Sequence, residues 1–321
     1  MFKTWDANQY IYLSEIGYKA GQMPNAMYPL WPFMIRLGRY LFQDSLVSAM
    51  VLSNLFSLLA FLAYYRFVFQ QHGRAIAETS LILALVFPGA LFYCFAYSES
   101  IFFLLTILCF MAINNRKYMV AASLGFFCPL AKAIGVFITL PIGYAIWKDW
   151  REKKVPSYYF LMVIIPFLGY AAVFLIMYLS TGNAFEAFEA QSKYIAQASI
   201  SKIFNPLELL KNLFAIQPGH NFFSSPFDRL WFILAMIGLY SLFRMDKKMF
   251  FYSFPLVVIP AISTSFMSYT RYVAPIFPLF TVYGALFVKP RWRMLYWNVI
   301  AFMAILQIFF LIRHINYYWV A

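Results

Sequence analysis

Short clusters of Lys and Arg, recurring between long apolar runs, leave this chain few ways to fold. The runs occupy 46–69, 79–96, 98–113, 118–131, 133–147, 157–179, 229–243, 250–266, 272–288 and 295–312. Counted as helical crossings, they put five basic clusters on one side. These are Arg66 with Arg74; Arg116-Lys117; Lys148, Arg151, Lys153 and Lys154; Arg244, Lys247 and Lys248; and Lys289, Arg291 and Arg293. Loops enriched in Lys and Arg stay in the cytoplasm, so this side is predicted to be cytoplasmic. One miscounted span would break the agreement at every later loop.

Composition supports the same class. With 63% apolar and 12% charged residues, the chain lies far from the soluble average of about a quarter charged. Its excess of Lys and Arg, 25 against 12 Asp and Glu, is not gathered on one solvated face as nucleic-acid binding requires. The runs lack the dyad alternation of membrane barrels. The predicted fold is an all-α polytopic membrane bundle of about ten transmembrane helices. Several runs fall short of the ~20 residues a perpendicular span needs, so breaks at Tyr97 and Lys132 read as kinks or re-entrant turns. Cys94, Cys109 and Cys128 sit in apolar runs without metal-ligand spacing and read as small buried hydrophobes. No cleavable signal peptide is visible.

Two stretches depart from this pattern, and both fall on the non-cytoplasmic side. Residues 1–45 are too polar and too broken to cross a bilayer; they read as an external segment of short amphipathic helices carrying Trp5-Asp6-Ala7. Residues 46–321 form the bundle, with an external loop at 180–228. Within that loop, 184–204 reads as a surface helix, and Asn205-Pro206 and Gln217-Pro218-Gly219-His220 read as turns. Tyr317-Tyr318-Trp319 reads as an interfacial aromatic anchor.

An ionisable group in or beside a bilayer costs roughly 2.5 to 3.5 kcal/mol on insertion scales, so those that remain are paired or used. Four stand out on the non-cytoplasmic face. Asp6 lies between Trp5 and Tyr10, and Glu99 between two serines after Tyr97. Lys132 interrupts an apolar stretch, and Arg271 stands between Thr270 and Tyr272 ahead of Pro275 and Pro278. Two carboxylates and two cations suit a substrate with a phosphate and a hydroxyl that must lose its proton. Each also has a plainer reading: Asp6 as a helix N-cap, Glu99 as a solvated loop tip, Lys132 as a snorkelling side chain, Arg271 as a structural ion-pair partner. His220 reads as an incidental loop histidine.

Five motifs then occur in a fixed order. They are Trp5-Asp6-Ala7 with Tyr10 and Gly17-Tyr18; Tyr28-Pro29-Leu30-Trp31-Pro32 with Ile35-Arg36; Phe87-Pro88 with Ala96-Tyr97-Ser98-Glu99-Ser100; Ala131-Lys132-Ala133-Ile134-Gly135; and Arg271-Tyr272 with Pro275, Phe277 and Pro278. The ordered set resembles the PIG-V-like mannosyltransferases, which comprise the GPI mannosyltransferase 2 family and its prokaryotic relatives within the GT-C glycosyltransferases.

The resemblance implies a multispanning enzyme that moves a sugar, typically mannose, from a polyprenyl-phosphate donor to an acceptor hydroxyl on the non-cytoplasmic face, with inversion. The acceptor is a glycan, glycolipid or protein. By position, Asp6 is the expected base and Glu99 orients acceptor or base; Lys132 and Arg271 hold the donor phosphate; Trp5, Tyr10, Tyr97 and Tyr272 contact substrate. No cofactor is expected. Asp6 has no second adjacent carboxylate, so no DxD-like ligand pair is present and metal-independent chemistry is expected. Lys132 stands where relatives more often carry arginine, and lysine lacks the bidentate fork. Relatives generally place a membrane span ahead of the Trp-Asp motif. Here the motif comes almost at the start, which implies an upstream span or a small membrane partner subunit. The membrane is the plasma membrane of a prokaryote or, in a eukaryote, the endoplasmic reticulum. A transporter or flippase of a lipid-linked saccharide is the rival reading, since intramembrane charges also line transport paths; a non-catalytic membrane subunit is the third.

Overall fold

The computed structural model describes residues 3–194, 205–215 and 225–320. Helices dominate, and no strand occurs among the described residues. The opening segment holds α1 (Asp6–Ile16) and α2 (Leu30–Phe42). The bundle follows with α3 (Ser45–His72), α4 (Arg74–Val86), α5 (Glu99–Asn114), α6 (Tyr118–Ala131), α7 (Thr139–Arg151) and α8 (Ile165–Thr181). The long loop contributes α9 (Glu186–Ser192) and α10 (Pro206–Phe214). The chain closes with α11 (Pro226–Met245), α12 (Lys247–Ser263), α13 (Tyr269–Val273), α14 (Phe277–Phe287) and α15 (Arg293–Ile315).

A helix stands at each of the ten apolar runs. Among the described residues, four helical stretches are long and apolar enough to cross a membrane: Ser45–His72, Ser157–Thr181, Pro226–Met245 and Pro290–Ile315. The chemistry of α3 shows how such a helix is placed. Val47, Val51, Leu55, Leu58 and Leu62 form an exposed apolar stripe, while Ser48, Ala49, Ser53, Ser57 and Ala60 are buried. Lipid is as apolar as leucine, so the large side chains gain nothing by turning inward, and the small ones let α3 lie close on α2, α4 and α5. The Asp44 carboxylate caps the helix by accepting from the Val47 amide at 2.8 Å. Gly73 ends it at φ +82°, a backbone angle that disfavours a side chain.

Several runs break inside their predicted bounds. The run 79–96 stops being α-helical at Val86, because Phe87 precedes Pro88 and takes extended ψ, 132°, as residues before proline prefer. A 3-10 stretch, Pro88–Tyr93, carries the chain on. The runs 118–131 and 133–147 part at Lys132, where the sequence divides them, and the backbone there is extended at φ −153° and ψ 142°. The run 272–288 divides between α13 and α14, and the 11 residues of α14 rise only about 16 Å, roughly half a hydrocarbon core. In the long loop, Asn205-Pro206 is no free turn, since Pro206 opens α10 in the first-turn position that tolerates it. Of the surface helix expected over 184–204, α9 forms the first part; the rest lies outside the described residues, as do Gln217-Pro218-Gly219-His220.

The opening segment is held from two sides. Glu186 of α9 is buried and accepts from the Gly21 amide and the Asn25 side-chain amide, both at 2.7 Å. At the far end of the chain, the Thr4 hydroxyl meets His314 Nε2 at 2.7 Å, the Tyr317 hydroxyl donates to the Lys3 carbonyl at 2.9 Å, and the Trp5 and Trp319 rings meet edge to face. Trp319, read as a membrane anchor, therefore packs on the opening segment.

Candidate active site

Three of the four charged residues singled out above stand at a helix end, and the fourth lies within a short helix. Asp6 starts α1, Glu99 starts α5, Lys132 follows α6, and Arg271 lies in α13. Helices α5 and α6 pack side by side as an antiparallel hairpin, which returns Lys132 to Glu99: the ammonium donates to Glu99 Oε1 at 2.8 Å. Arg271 comes from the opposite flank. Its Nε donates to the same Glu99 oxygen, and its Nη1 donates to Asp6 Oδ2. All four groups thus form one ion network, although they lie up to 265 positions apart.

Burial grades the four. The Glu99 side chain is fully buried, those of Lys132 and Arg271 are 11% exposed, and that of Asp6 is 25% exposed. Asp6 is therefore the more exposed of the two carboxylates. Its N-cap reading does not describe what it does, because it is the first helical residue and Trp5, at φ +47°, holds the cap position without a side-chain hydrogen bond. Glu99 is no solvated tip, and Lys132 turns inward rather than snorkelling. Glu99 Oε2 has no hydrogen-bond partner among the described residues. A buried carboxylate oxygen left so is costly unless a ligand or water donates to it.

Aromatic rings line the network. The Arg271 guanidinium lies over Tyr97, 4.5 Å from its centroid, and over Phe92 at 5.4 Å; the Lys132 ammonium lies 5.7 Å from the Tyr272 centroid. Ring faces attract cations without neutralising them, so these contacts leave the charge free to meet an anion. The Tyr10 hydroxyl shares a 3.0 Å hydrogen bond with Ser98 Oγ, and its ring meets Tyr97 edge to face. The Tyr97 hydroxyl donates to the Thr4 carbonyl at 3.3 Å. Trp5 meets Trp319 edge to face and directly precedes Asp6 in the chain. Burial pushes the phenols of Tyr10 and Tyr97 upward, and the nearby carboxylates add to it. Burial pulls the Lys132 ammonium below the usual lysine range; Glu99 opposes this and Arg271 reinforces it. Burial also works against the Arg271 guanidinium, but Glu99 and Asp6 together outweigh it, and its pKa is raised.

Two residues that the sequence did not single out bond to the segments that carry the network. Ser53 of α3 donates to the carbonyls of Tyr93 and Phe95 at 3.0 and 2.5 Å, fixing the turn that leads to Glu99. Asp228 accepts from both the amide and the hydroxyl of Thr270. Neither stood out, since a serine in an apolar run and an aspartate at a loop end are ordinary in sequence.

The opposite ends of these helices carry the basic turns. Arg116 pairs with Asp149 at 3.0 Å, and Lys248 donates to Asn114 at 2.6 Å. The 16 residues of α5 separate that end from Glu99 by about 24 Å.

The family model described as Mannosyltransferase (PIG-V) matches residues 2–200, more than half of the chain. The crystal structure of the oligosaccharyltransferase of Archaeoglobus fulgidus, in its apo form, superposes with a TM-score of 0.50 at 13% identity, covering 97% of this chain and 50% of that one. That likeness is one of fold, and the chain spans half the length of that protein. No curated protein sequence matches. The fold class is one shared with that oligosaccharyltransferase. Within it, the chain belongs to the PIG-V mannosyltransferase family. Asp6, Glu99 and Lys132 fall within the matched residues; Arg271 lies beyond them and reaches them through the fold.

Proposed function

We propose that the protein transfers a sugar, mannose in keeping with its family, from a polyprenyl-phosphate donor to an acceptor hydroxyl on the non-cytoplasmic face of the membrane. The observation that carries this reading is the convergence of Asp6, Glu99, Lys132 and Arg271 in one network. Asp6, the most exposed of the four, accepts the proton of the acceptor hydroxyl. Glu99 orients that hydroxyl through its free Oε2. The acceptor oxygen attacks the anomeric carbon opposite the phosphate, and the bond from that carbon to the phosphate oxygen breaks with its electron pair. A single displacement of this kind inverts the anomeric centre. Lys132 and Arg271 receive the charge that grows on the leaving phosphate, and such stabilisation acts in the transition state more than in the ground state.

In this reading the donor phosphate competes with the carboxylates for Arg271, and its arrival releases Asp6 to act as base. The basic turns at the far ends of the helices face the cytoplasm, with ten helical segments crossing or entering the bilayer. The donor needs no cofactor beyond its own lipid phosphate.

The test is incubation of membranes containing the protein with radiolabelled polyprenyl-phosphate mannose, followed by identification of the labelled product. Asp6→Asn is expected to lower transfer by at least the ~10² to 10⁴-fold that positioned base catalysis supplies, with expression unchanged. Near-normal turnover in that variant sinks the base. Movement of labelled lipid-linked sugar across vesicles by purified protein, with no glycosidic bond formed, replaces transfer by transport.

A further inference from the structure

Arg271 sits in a segment that cannot hold itself. Helix α13 has five residues, too few for a stable helix on its own. The chain leading into it carries three non-glycine residues in the left-handed region, Ser265 at φ +53°, Phe266 at +67° and Ser268 at +61°. Such angles persist only where the surroundings impose them, above all for a bulky residue such as phenylalanine.

The surroundings that impose them converge on Thr270, the residue before Arg271. Asp228, in the first turn of α11 and buried, accepts from the Thr270 amide at 2.8 Å and from the Thr270 hydroxyl at 2.6 Å through the same Oδ1. On the other side, Gly89 brings the backbone of Pro88–Tyr93 against Thr270; a Cβ at Gly89 would come within 2.5 Å of the Thr270 carbonyl oxygen. Thr270 is thus gripped by a carboxylate on one face and by bare backbone on the other. Tyr269 is tied separately, its hydroxyl donating to the Val257 carbonyl at 3.1 Å.

We infer that Asp228 is a positioning residue for the donor phosphate: by fixing Thr270 it sets the direction of the neighbouring Arg271 guanidinium toward Asp6 and Glu99. The inference rests on the reading of Arg271 as a phosphate-holding group. Asp228 itself touches neither Arg271 nor a reacting atom, so its effect passes wholly through the backbone of α13. A charge-assisted acceptor serves here because one oxygen has to hold both an amide and a hydroxyl.

The experiment is binding of undecaprenyl phosphate to the purified full chain in nanodiscs, a readout that needs no turnover. Asp228→Ala is expected to weaken binding about tenfold, the scale of a lost buried acceptor, and Asp228→Asn, which keeps an acceptor oxygen, to restore most of it. In an Arg271→Ala background, Asp228→Ala is expected to add nothing, since the two act as one unit. Wild-type binding by Asp228→Ala, or a loss that adds in full to that of Arg271→Ala, overturns the inference. If Arg271→Ala alone leaves binding unchanged, the phosphate reading of Arg271 fails, and the role of Asp228 falls with it. Should Asp228→Ala not fold, Thr270→Val and Thr270→Ser decide: the valine weakens binding and the serine does not, and equal binding by Thr270→Val and wild type refutes the grip.

Discussion

Lys132 shows what one side chain can be asked to do. Its ammonium donates to Glu99, lies beside Tyr272, and is held below the usual lysine range by burial. In the proposed reaction only the charged form attracts the donor phosphate. Donor affinity is therefore full at low pH and falls as pH rises through this lowered pKa, so the alkaline loss begins earlier than an ordinary lysine would allow. Lys132→Arg stays charged across that range. Its expected behaviour is a donor KM that no longer rises on the alkaline side, measured from initial rates across pH. An alkaline limb that stays in place in Lys132→Arg assigns that limb to another group. This residue was legible in sequence for a simple reason: a charge surrounded by apolar residues must be compensated, and few compensations exist. Asp228 was illegible because it closes a loop already carrying Glu186, Glu189 and Lys193, where one more charge excites no suspicion. Its role depends on a hydrogen bond across 42 positions, which no local pattern records.

At the scale of the element, α3 presents the clearest division of labour. Its exposed stripe and its buried face of small residues make opposite predictions for the same kind of substitution. Ala60→Leu adds bulk at a fully buried position and is expected to destabilise by about 1 to 3 kcal/mol, the cost of overpacking. Leu58→Ala, on a residue 58% exposed, is expected to change stability by less than about 0.5 kcal/mol. Thermal unfolding in detergent separates the two; equal effects would show that the exposed stripe packs on something. The helices of the bundle were legible from apolar runs, whereas α10 opens where Asn205-Pro206 read as a turn. Their ends were less so, because prolines act one residue ahead of themselves. Phe87 leaves the helix on account of Pro88, within a run whose hydropathy continues unbroken to Ala96. Hydropathy reports where a residue prefers to be, and a backbone clash with the following ring decides whether it can be helical there.

The whole molecule is organised by polarity from end to end. One end gathers Asp6, Glu99, Lys132 and Arg271; the other gathers the turns with Arg116, Asp149 and Lys248. That these two groups of charge lie at opposite helix ends was legible in their spacing along the sequence, and the membrane face each takes belongs to the proposal. Which partner each charge would meet was not legible, because spacing fixes a helix end and says nothing of the neighbours there. The orientation is checked by replacing Cys94, Cys109 and Cys128 and introducing single cysteines. Cysteines at Lys117, Lys153 and Lys247 are expected to react with an impermeant reagent only from the cytoplasmic side, and one at Lys193 only from the opposite side. Reaction of the first three from outside would invert the proposed topology and move the site to the cytoplasm.

The clasp between Thr4 and His314 spans 310 positions, and Arg271 comes from late in the chain as well. During synthesis the segment bearing Asp6 is made well before its hydrogen-bond partner and its cation, which come with α15 and α13. A chain cut short before α13 and α15 lacks Arg271 and His314, so under the proposed reaction it is expected to hold no assembled centre.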